Sequence, residues 1–360
     1  MRKLFIVYAV LLSVMAAAFN YNTTMMFKDE LIGGETSTGY VSVIDYMGFP
    51  YSGEVGLNAV NGKILGDVEI QSGLGIFGLI PDESATEVKI VLGIKDEKHD
   101  FLFFSTPRKF LENSEKYFLK VVDFAGNVAV KKAETLEEIP VKIGDRVGEG
   151  DVIYTSEESF IQLKDEKGNE YYIDENSSVL IKFAKKKEKD FLIKLKVDSG
   201  NVVINVVKKL LGSSMILVEN SNVTAGVRGT SFSFEVKNDL KVRTFHGDVL
   251  LSVMGKKAEV RRGQMIDLPD DFMEGVRKLR EQYLSMKVDY KSLLNMRVEE
   301  RLRSFDMMAN QILMMFDLKV KKVMARYKFR DFMHPLDTDQ EHMLMRMKEF
   351  KKKHKHGGNR

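Results

Sequence analysis

Residues 223–236 read VTAGVRGTSFSFEV, and the interpretation of the chain begins from this stretch. Its second half predicts a β-strand from Phe232 to Val236, where apolar and polar residues alternate. Arg228, Gly229 and Thr230 stand directly before that strand. Glycine lets the backbone adopt a positive φ or pass close to a neighbouring strand, and arginine can donate to carbonyls or a carboxylate at the bend. We favour this structural role over contact of Arg228 with a partner.

Short runs of the same kind extend on both sides, from about residue 141 to residue 268. Almost every gap between them carries Gly, Asn or Asp, the residues that favour tight turns. The clearest gaps are Lys167-Gly168-Asn169, Asp198-Ser199-Gly200-Asn201, Lys237-Asn238-Asp239 and His246-Gly247-Asp248. The spacing predicts consecutive hairpins and an all-β domain over 141–268, either a sandwich or solenoid-like.

Several blocks of this region, in this order, resemble the FecR domain family. They are Gly144-Asp145-Arg146-Val147, Gly150-Asp151-Val152-Ile153-Tyr154-Thr155, Ser159-Phe160-Ile161-Gln162-Leu163, Gly200-Asn201-Val202, Val227-Arg228-Gly229-Thr230-Ser231-Phe232, Phe245-His246-Gly247-Asp248-Val249 and Gly263-Gln264-Met265. The resemblance makes Arg228, Gly229, Thr230, Gly247 and Gly263 the candidate site residues, in a structural or partner-contacting role. It implies no catalytic role for them.

The preceding region, 38–132, also alternates apolar and polar residues in short runs separated by Gly, Pro, Asn and Asp. This spacing predicts a β-sandwich of roughly 100 residues. The pattern resembles bacterial Ig-like or carboxypeptidase-regulatory-like (prealbumin-like) sandwiches, for example at Val41-Ser42-Val43 and Asp123-Phe124-Ala125-Gly126-Asn127. That resemblance implies a spacer or a binding module, and we favour the spacer.

The N-terminal residues have the layout of a secretory signal. Arg2 and Lys3 precede an uncharged apolar run from Leu4 to Ala18. At about 1.5 Å per residue in a helix, that run is shorter than the roughly 30 Å hydrocarbon core of a membrane. We predict a signal peptide over 1–18, cleaved after Ala18, with an N-terminal membrane anchor as the alternative. The rest of the chain is then exported to the periplasm or cell envelope.

The C-terminal quarter has a different composition. Apolar residues recur at steps of three and four over 271–332, and this predicts an all-α segment of long amphipathic helices. From Asp271 onward Lys and Arg outnumber Asp and Glu, and we predict a basic, partly disordered tail over 333–360. The predicted helices suit self-association as a coiled coil, and the basic excess suits an anionic surface.

The chain has no cysteine and only six histidines. It lacks Gly-x-Ser-x-Gly, His-Glu-x-x-His and a phosphate-binding loop. We therefore predict no enzymatic activity, no cofactor and no metal site. Export and the acidic balance of the β regions argue against a nucleic-acid partner.

The predicted fold class is thus mainly β with an all-α C-terminal segment. The favoured function is an exported, non-enzymatic envelope protein whose FecR-like domain binds a protein or glycan, or acts as a scaffold. The alternative is an envelope signal-transduction regulator, because FecR-type proteins resemble membrane-crossing regulators that inform a cytoplasmic sigma factor. Only three residues precede the apolar run, so we expect such a regulator to need a separate membrane partner.

Overall fold

The computed structural model describes residues 21–45, 49–221, 223–285 and 333–335. The predicted signal peptide, most of the predicted helical segment and nearly all of the predicted tail therefore lie outside the described residues. Among the described helices, none combines the length and the apolar character needed to cross a bilayer.

Nine strands build an N-terminal unit over residues 21–106. They are β1 (Tyr21–Phe27), β2 (Leu31–Ile32), β3 (Ser37–Asp45), β4 (Gly53–Val60), β5 (Gly62–Leu65), β6 (Val68–Ile70), β7 (Leu74–Pro81), β8 (Glu87–Ile94) and β9 (Glu97–Thr106). One sheet has the order β1-β3-β7-β5 and the other β6-β4-β8-β9, with β2 parallel to the end of β9. Val41 and Phe77 of the first sheet share a buried core with Ile90 and Phe101 of the second.

A larger central unit follows, after a short 3-10 helix at Arg108–Phe110. Its strands are β10 (Glu115–Lys116), β11 (Leu119–Ala125), β12 (Val128–Lys131), β13 (Glu138–Pro140), β14 (Arg146–Val147), β15 (Val152–Thr155), β16 (Phe160–Lys164), β17 (Glu170–Ile173), β18 (Ser177–Lys187), β19 (Asp190–Asn205), β20 (Met215–Asn220), β21 (Val223–Val227), β22 (Ser231–Val236), β23 (Leu240–His246), β24 (Asp248–Val253), β25 (Lys256–Arg261), β26 (Gln264–Leu268) and β27 (Met333–Pro335).

Two sheets form the central unit. Sheet I runs β13-β12-β15-β18-β19-β20-β21-β24-β25, and sheet II runs β14-β11-β16-β17-β19-β22-β23-β26-β27. Ile153 and Val249 of sheet I pack with Val202 and Phe234 of sheet II in one buried core. The apolar side chains on the inner face of each sheet therefore pack against those of the other sheet.

Strand β19 belongs to both sheets. Its first half pairs with β18 and β20, and its second half pairs with β17 and β22. The sequence predicted a turn at Ser199-Gly200-Asn201, whereas the chain continues there as one strand that changes sheets. Gly200 has φ +94°, and a Cβ on it would lie 1.9 Å from Ser177 Oγ, so glycine is required at the crossing. The pairing of β19 with β20 is parallel, so these two strands are not a hairpin.

Strands β11 and β12 lie in the region that the sequence analysis assigned to the first sandwich, 38–132. In the structure β11 pairs with β14 and β16 of sheet II, and β12 pairs with β13 and β15 of sheet I. Alternation of apolar and polar residues predicts a strand, but it does not determine the sheet in which that strand pairs.

The two units meet along β9 and sheet I. Lys256 pairs with Phe101, and the Leu102 amide donates to the Gly255 carbonyl at 2.6 Å. Ser252 Oγ donates to the Leu102 carbonyl at 2.5 Å. The Phe104 ring lies over Gly226, where a Cβ would come within 2.3 Å of the ring. Backbone pairing and close packing therefore join the units.

The prediction of an all-α C-terminal segment is wrong. Within the residues that the structure describes, this region contains one α-helix, α1 (Asp270–Ser285), of 16 residues. Asp270 and Asp271 lie in its first turn, and Phe272 and Val276 are buried against the central core. Strand β27 then pairs with β26, and its Met333 packs on the core, so the region assigned to the tail begins with a strand of sheet II. Apolar residues spaced three and four apart indicate the apolar face of a helix, but this spacing does not determine the length of the helix.

Candidate functional site

Four of the five predicted site residues lie together where the chain crosses between the two sheets. Arg228, Gly229 and Thr230 connect β21 of sheet I to β22 of sheet II. Gly247 connects β23 of sheet II back to β24 of sheet I. We call these four residues the motif corner.

The two crossings of the motif corner are in direct contact. Thr230 is buried, and its Oγ1 donates to the carbonyl of Asp248 at 3.0 Å. Gly247 has φ +72°, and a Cβ there would lie 2.8 Å from the Gly229 carbonyl oxygen. Gly247 and Thr230 therefore allow the backbones of the two crossings to pack closely together.

Gly263 occupies the neighbouring turn from β25 to β26. Its amide donates to the Thr244 carbonyl at 2.8 Å, and its φ is +75°. A Cβ on Gly263 would meet no atom within 4 Å. This glycine thus serves a turn and does not contact the motif corner.

A loop over residues 206–214, which leads from β19 to β20, completes the site. We call it the corner loop. The Val206 amide donates to the Thr230 carbonyl at 3.0 Å, and the Leu210 amide donates to the Arg228 carbonyl at 3.0 Å. The Val207 amide donates to Asn169 Oδ1 at 3.2 Å. Hydrogen bonds from its amides therefore fix the first half of the loop on the motif corner and on Asn169.

Asp190 fixes the second half of the corner loop. Its carboxylate accepts from the Ser213 amide at 3.3 Å and from the Ser214 hydroxyl at 3.2 Å, and it forms an ion pair with Lys109. Burial by itself raises the pKa of Asp190, but the hydrogen bonds from Lys109 and Ser213 outweigh it, and the pKa lies below its ordinary value.

Replacing Asp190 with asparagine should loosen the corner loop. We expect faster hydrogen exchange at the amides of Ser213 and Ser214, because the ionised acceptor is lost. A lowered folded-state pKa contributes stability above the ordinary carboxyl pKa, and that contribution disappears as the pH falls through the folded value. The stability difference between the wild type and Asp190→Asn should therefore shrink in acid. A difference that grows in acid would contradict this account.

The outer side of the corner loop combines exposed apolar and cationic side chains. Val207 is 55% exposed and Leu211 is 75% exposed. Lys208 and Lys209 lie between them and are exposed, as is Arg228. We call these five side chains the corner surface. Sequence analysis missed the loop, although the order Val207-Lys208-Lys209-Leu210-Leu211 places large apolar residues around two lysines.

Arg228 also reaches the N-terminal unit. Its Nη2 donates to Thr86 Oγ1 at 2.6 Å, whereas the sequence predicted a carbonyl or carboxylate acceptor at the bend. The contact lies beside a polar cleft of about 180 Å³ between the units. The cleft is lined by Asn61, Asp82, Ser84, Ala85, Thr86, Gly212, Ser213 and Arg228. No pattern in the sequence could pair Arg228 with Thr86, because 142 residues separate them.

The described residues contain no group of three or more His, Asp or Glu side chains placed to hold a metal ion. The corner loop and the motif corner together provide hydrogen-bonding groups, positive charge and exposed apolar side chains. These are the means of recognition between surfaces.

Comparison with known proteins gives one family match. A family model described as "FecR protein" matches residues 151–250, which extend from β15 into β24 and include the motif corner. No curated protein matches the chain.

Solved structures give distant likenesses. A putative anti-sigma factor from Parabacteroides distasonis is 12% identical, with a TM-score of 0.29, over 33% of this chain and 55% of that chain. The adhesin InvE of Yersinia pseudotuberculosis is 11% identical, with a TM-score of 0.22, over 68% of this chain and 58% of that chain. Domains 5–6 of the S-layer protein SbsC are 11% identical, with a TM-score of 0.21, over 69% of this chain and 98% of that chain.

The TM-scores of these structures are too low to carry an argument about function. The family match has a firmer basis, because residues 151–250 include most of the blocks on which the sequence resemblance was founded, whereas the blocks at residues 144–147 and 263–265 lie outside that range. Over residues 151–250 the predicted resemblance is confirmed: this part of the chain is similar to the FecR protein family.

Proposed function

We propose that this chain is an exported, non-catalytic protein of the cell envelope that binds an acidic protein partner through the corner surface. The N-terminal unit, for which we retain the Ig-like interpretation, acts as a spacer that is joined rigidly to the central unit. The proposal rests above all on one observation: exposed apolar and cationic side chains stand on a loop that hydrogen bonds hold at both ends.

Rigidity is what makes this surface suitable for recognition. A flexible loop loses conformational entropy on binding, whereas a loop that is already fixed loses much less. Val206, Leu210 and Ser213 fix the corner loop through their amides, while Val207 and Leu211 remain exposed. Exposed apolar side chains that are grouped together and flanked by polar residues are typical of protein interaction sites.

The charges indicate the chemistry of the partner. Lys208, Lys209 and Arg228 surround the exposed apolar side chains, so a complementary surface carries carboxylates around an apolar centre. Arginine is enriched at protein interfaces, where its guanidinium pairs with carboxylates. Export is supported by the signal-like residues 1–18 and by the match to the FecR family.

A photo-crosslinking amino acid at position 211, in cells that produce the chain, tests the proposal. We expect one discrete protein adduct in the envelope fraction, and we expect Lys208→Glu/Lys209→Glu to reduce it by roughly tenfold or more, because like charges then oppose each other. The same probe at Phe49, which is 61% exposed on the N-terminal unit, is the matched control. Equal adducts at both positions, or a glycan adduct at position 211, would contradict a protein-binding corner.

Signal transduction is the second candidate function, favoured specifically by the family match at residues 151–250. In that case the corner surface contacts a membrane protein that relays the signal. Deleting the gene distinguishes the two candidates. A regulator's loss changes transcription of a small set of envelope genes, whereas a structural binding module's loss leaves their transcription unchanged.

A further inference from the structure

A second surface of the central unit carries charges opposite to those of the corner surface. Residues 134–139 comprise the end of the turn after β12 and the start of β13, and we call them the acidic edge. Leu136 is 71% exposed and Ile139 is 39% exposed. Glu134, Glu137 and Glu138 are exposed beside them. Glu134 forms an open ion pair with Lys116 at 3.0 Å, in which both side chains are more than half exposed.

The backbone holds the acidic edge in place. The Leu136 amide donates to the Lys132 carbonyl and the Lys132 amide donates to the Glu137 carbonyl, both at 2.9 Å. Leu136 has φ +59°, a conformation that is uncommon for a bulky side chain and costs energy. Strand β13 is the last strand of sheet I, so no described strand covers its outer side. Such an edge is open to a protein partner.

The two surfaces match in composition. The acidic edge carries three carboxylates around two exposed apolar side chains, and the corner surface carries three cations around two exposed apolar side chains. Opposite charges around an apolar centre are the arrangement of a specific protein interface. The match predicts that each surface recognises the other.

Within the described residues of one chain, no hydrogen bond or ion pair joins the two surfaces. The strand order β13-β12-β15-β18-β19-β20 places five strand spacings between the acidic edge and the corner loop, which leads into β20. At about 4.8 Å per spacing, the path along sheet I between the two surfaces is roughly 24 Å. Any contact between the surfaces therefore joins two molecules.

We propose that the partner of the corner surface is a second copy of this chain, bound through its acidic edge. This inference rests on the proposed function, since it names the partner of the same surface. The interface is head-to-tail, because the two contributing surfaces differ. A head-to-tail pair of copies leaves one corner surface and one acidic edge unoccupied, so association extends into a ring or an open series of copies.

Charge reversal on the full chain tests the proposal by sedimentation velocity over a wide range of protein concentration. The wild type is expected to self-associate as its concentration rises. Lys208→Glu/Lys209→Glu alone, or Glu137→Lys/Glu138→Lys alone, should weaken association by roughly a hundredfold, because each places like charges across the interface. Glu54→Lys/Glu69→Lys makes the same charge change as Glu137→Lys/Glu138→Lys, at exposed positions of β4 and β6, and it should leave association unchanged.

An equimolar mixture of the two charge-reversed proteins decides the result. In the mixture, the acidic corner of one protein can bind the basic edge of the other. The unchanged acidic edge of the first protein can bind the unchanged corner surface of the second, so association should return. A wild type that stays monomeric, or a mixture that does not associate, overturns the head-to-tail interface. A monomeric wild type that still forms the position 211 adduct in cells would leave the proposed function standing with a different partner.

Discussion

Replacing Asp165 with alanine should lower the free energy of unfolding by about 3–5 kcal/mol, because buried donors lose their acceptor. The carboxylate of Asp165 is 7% exposed. It accepts from the amides of Lys167 and Asn169 at 2.9 Å, from Asn169 Nδ2 at 2.8 Å and from the Tyr171 hydroxyl at 3.0 Å. Asn169 and Tyr171 are also buried, so water cannot replace the missing acceptor.

The effect of this substitution depends on pH in a definite direction. Burial raises the pKa of Asp165, and the hydrogen bonds from Asn169 and Tyr171 offset only part of the shift. When the folded-state pKa lies above the unfolded value, the group's contribution to stability is complete below the unfolded pKa and is lost as the pH rises through the folded pKa. The stability difference between the wild type and Asp165→Ala should therefore widen as the pH is lowered from neutrality.

Urea unfolding at a series of pH values measures both effects. Asp198→Ala is the matched control, because Asp198 is 49% exposed and forms a surface ion pair with Lys196 at 2.7 Å. Such a pair contributes about 1 kcal/mol or less. If Asp165→Ala costs no more than Asp198→Ala, the buried network does not hold the β16–β17 turn.

The network around Asp165 also reaches the corner surface. Asn169 uses its amide and its Nδ2 to donate to Asp165, and it uses its Oδ1 to accept from the Val207 amide at 3.2 Å. Loss of Asp165 frees Asn169 and with it the first half of the corner loop. A core substitution should therefore reduce crosslinking at position 211 although it lies outside the binding surface.

Local signals in the sequence predicted the all-β character of the central unit. His246-Gly247-Asp248 was identified as a turn, and Gly247 has a positive φ. Tight turns depend on a few adjacent residues, so their residue types are readable without knowledge of the fold. The grouping of Arg228, Gly229 and Thr230 as one corner followed from the same local chemistry.

Such local signals could not predict contacts between segments that are far apart in the sequence. Gly200 looks like a hairpin turn, and only its approach to Ser177 reveals a strand that crosses between sheets. The polar contact of Arg228 with Thr86, and the placement of the corner loop against both, depend on where the N-terminal unit docks. Strand β27 was missed for a related reason, since its pairing with β26 joins segments that are far apart in the sequence.

Replacing Gly247 with alanine should cost about 3 kcal/mol of stability, whereas Gly263→Ala should cost only about 1 kcal/mol. The two glycines form a matched pair, because their φ values are +72° and +75° and both substitutions impose the same left-handed strain. They differ in surroundings: a Cβ at Gly247 would lie 2.8 Å from the Gly229 carbonyl oxygen, and a Cβ at Gly263 would meet nothing within 4 Å. The difference between the two losses thus measures the packing of the motif corner alone.

Thermal and urea unfolding of both variants give this difference directly. Because Gly229 must move to admit the new methyl group, Gly247→Ala should also displace the Arg228 carbonyl that holds Leu210 in the corner loop. Hydrogen exchange at the Leu210 amide is then expected to accelerate in Gly247→Ala and to remain unchanged in Gly263→Ala. Equal stability losses in the two variants, with unchanged exchange at Leu210, would mean that the two sheet crossings do not support the corner loop. Binding through the corner surface would then require a different explanation.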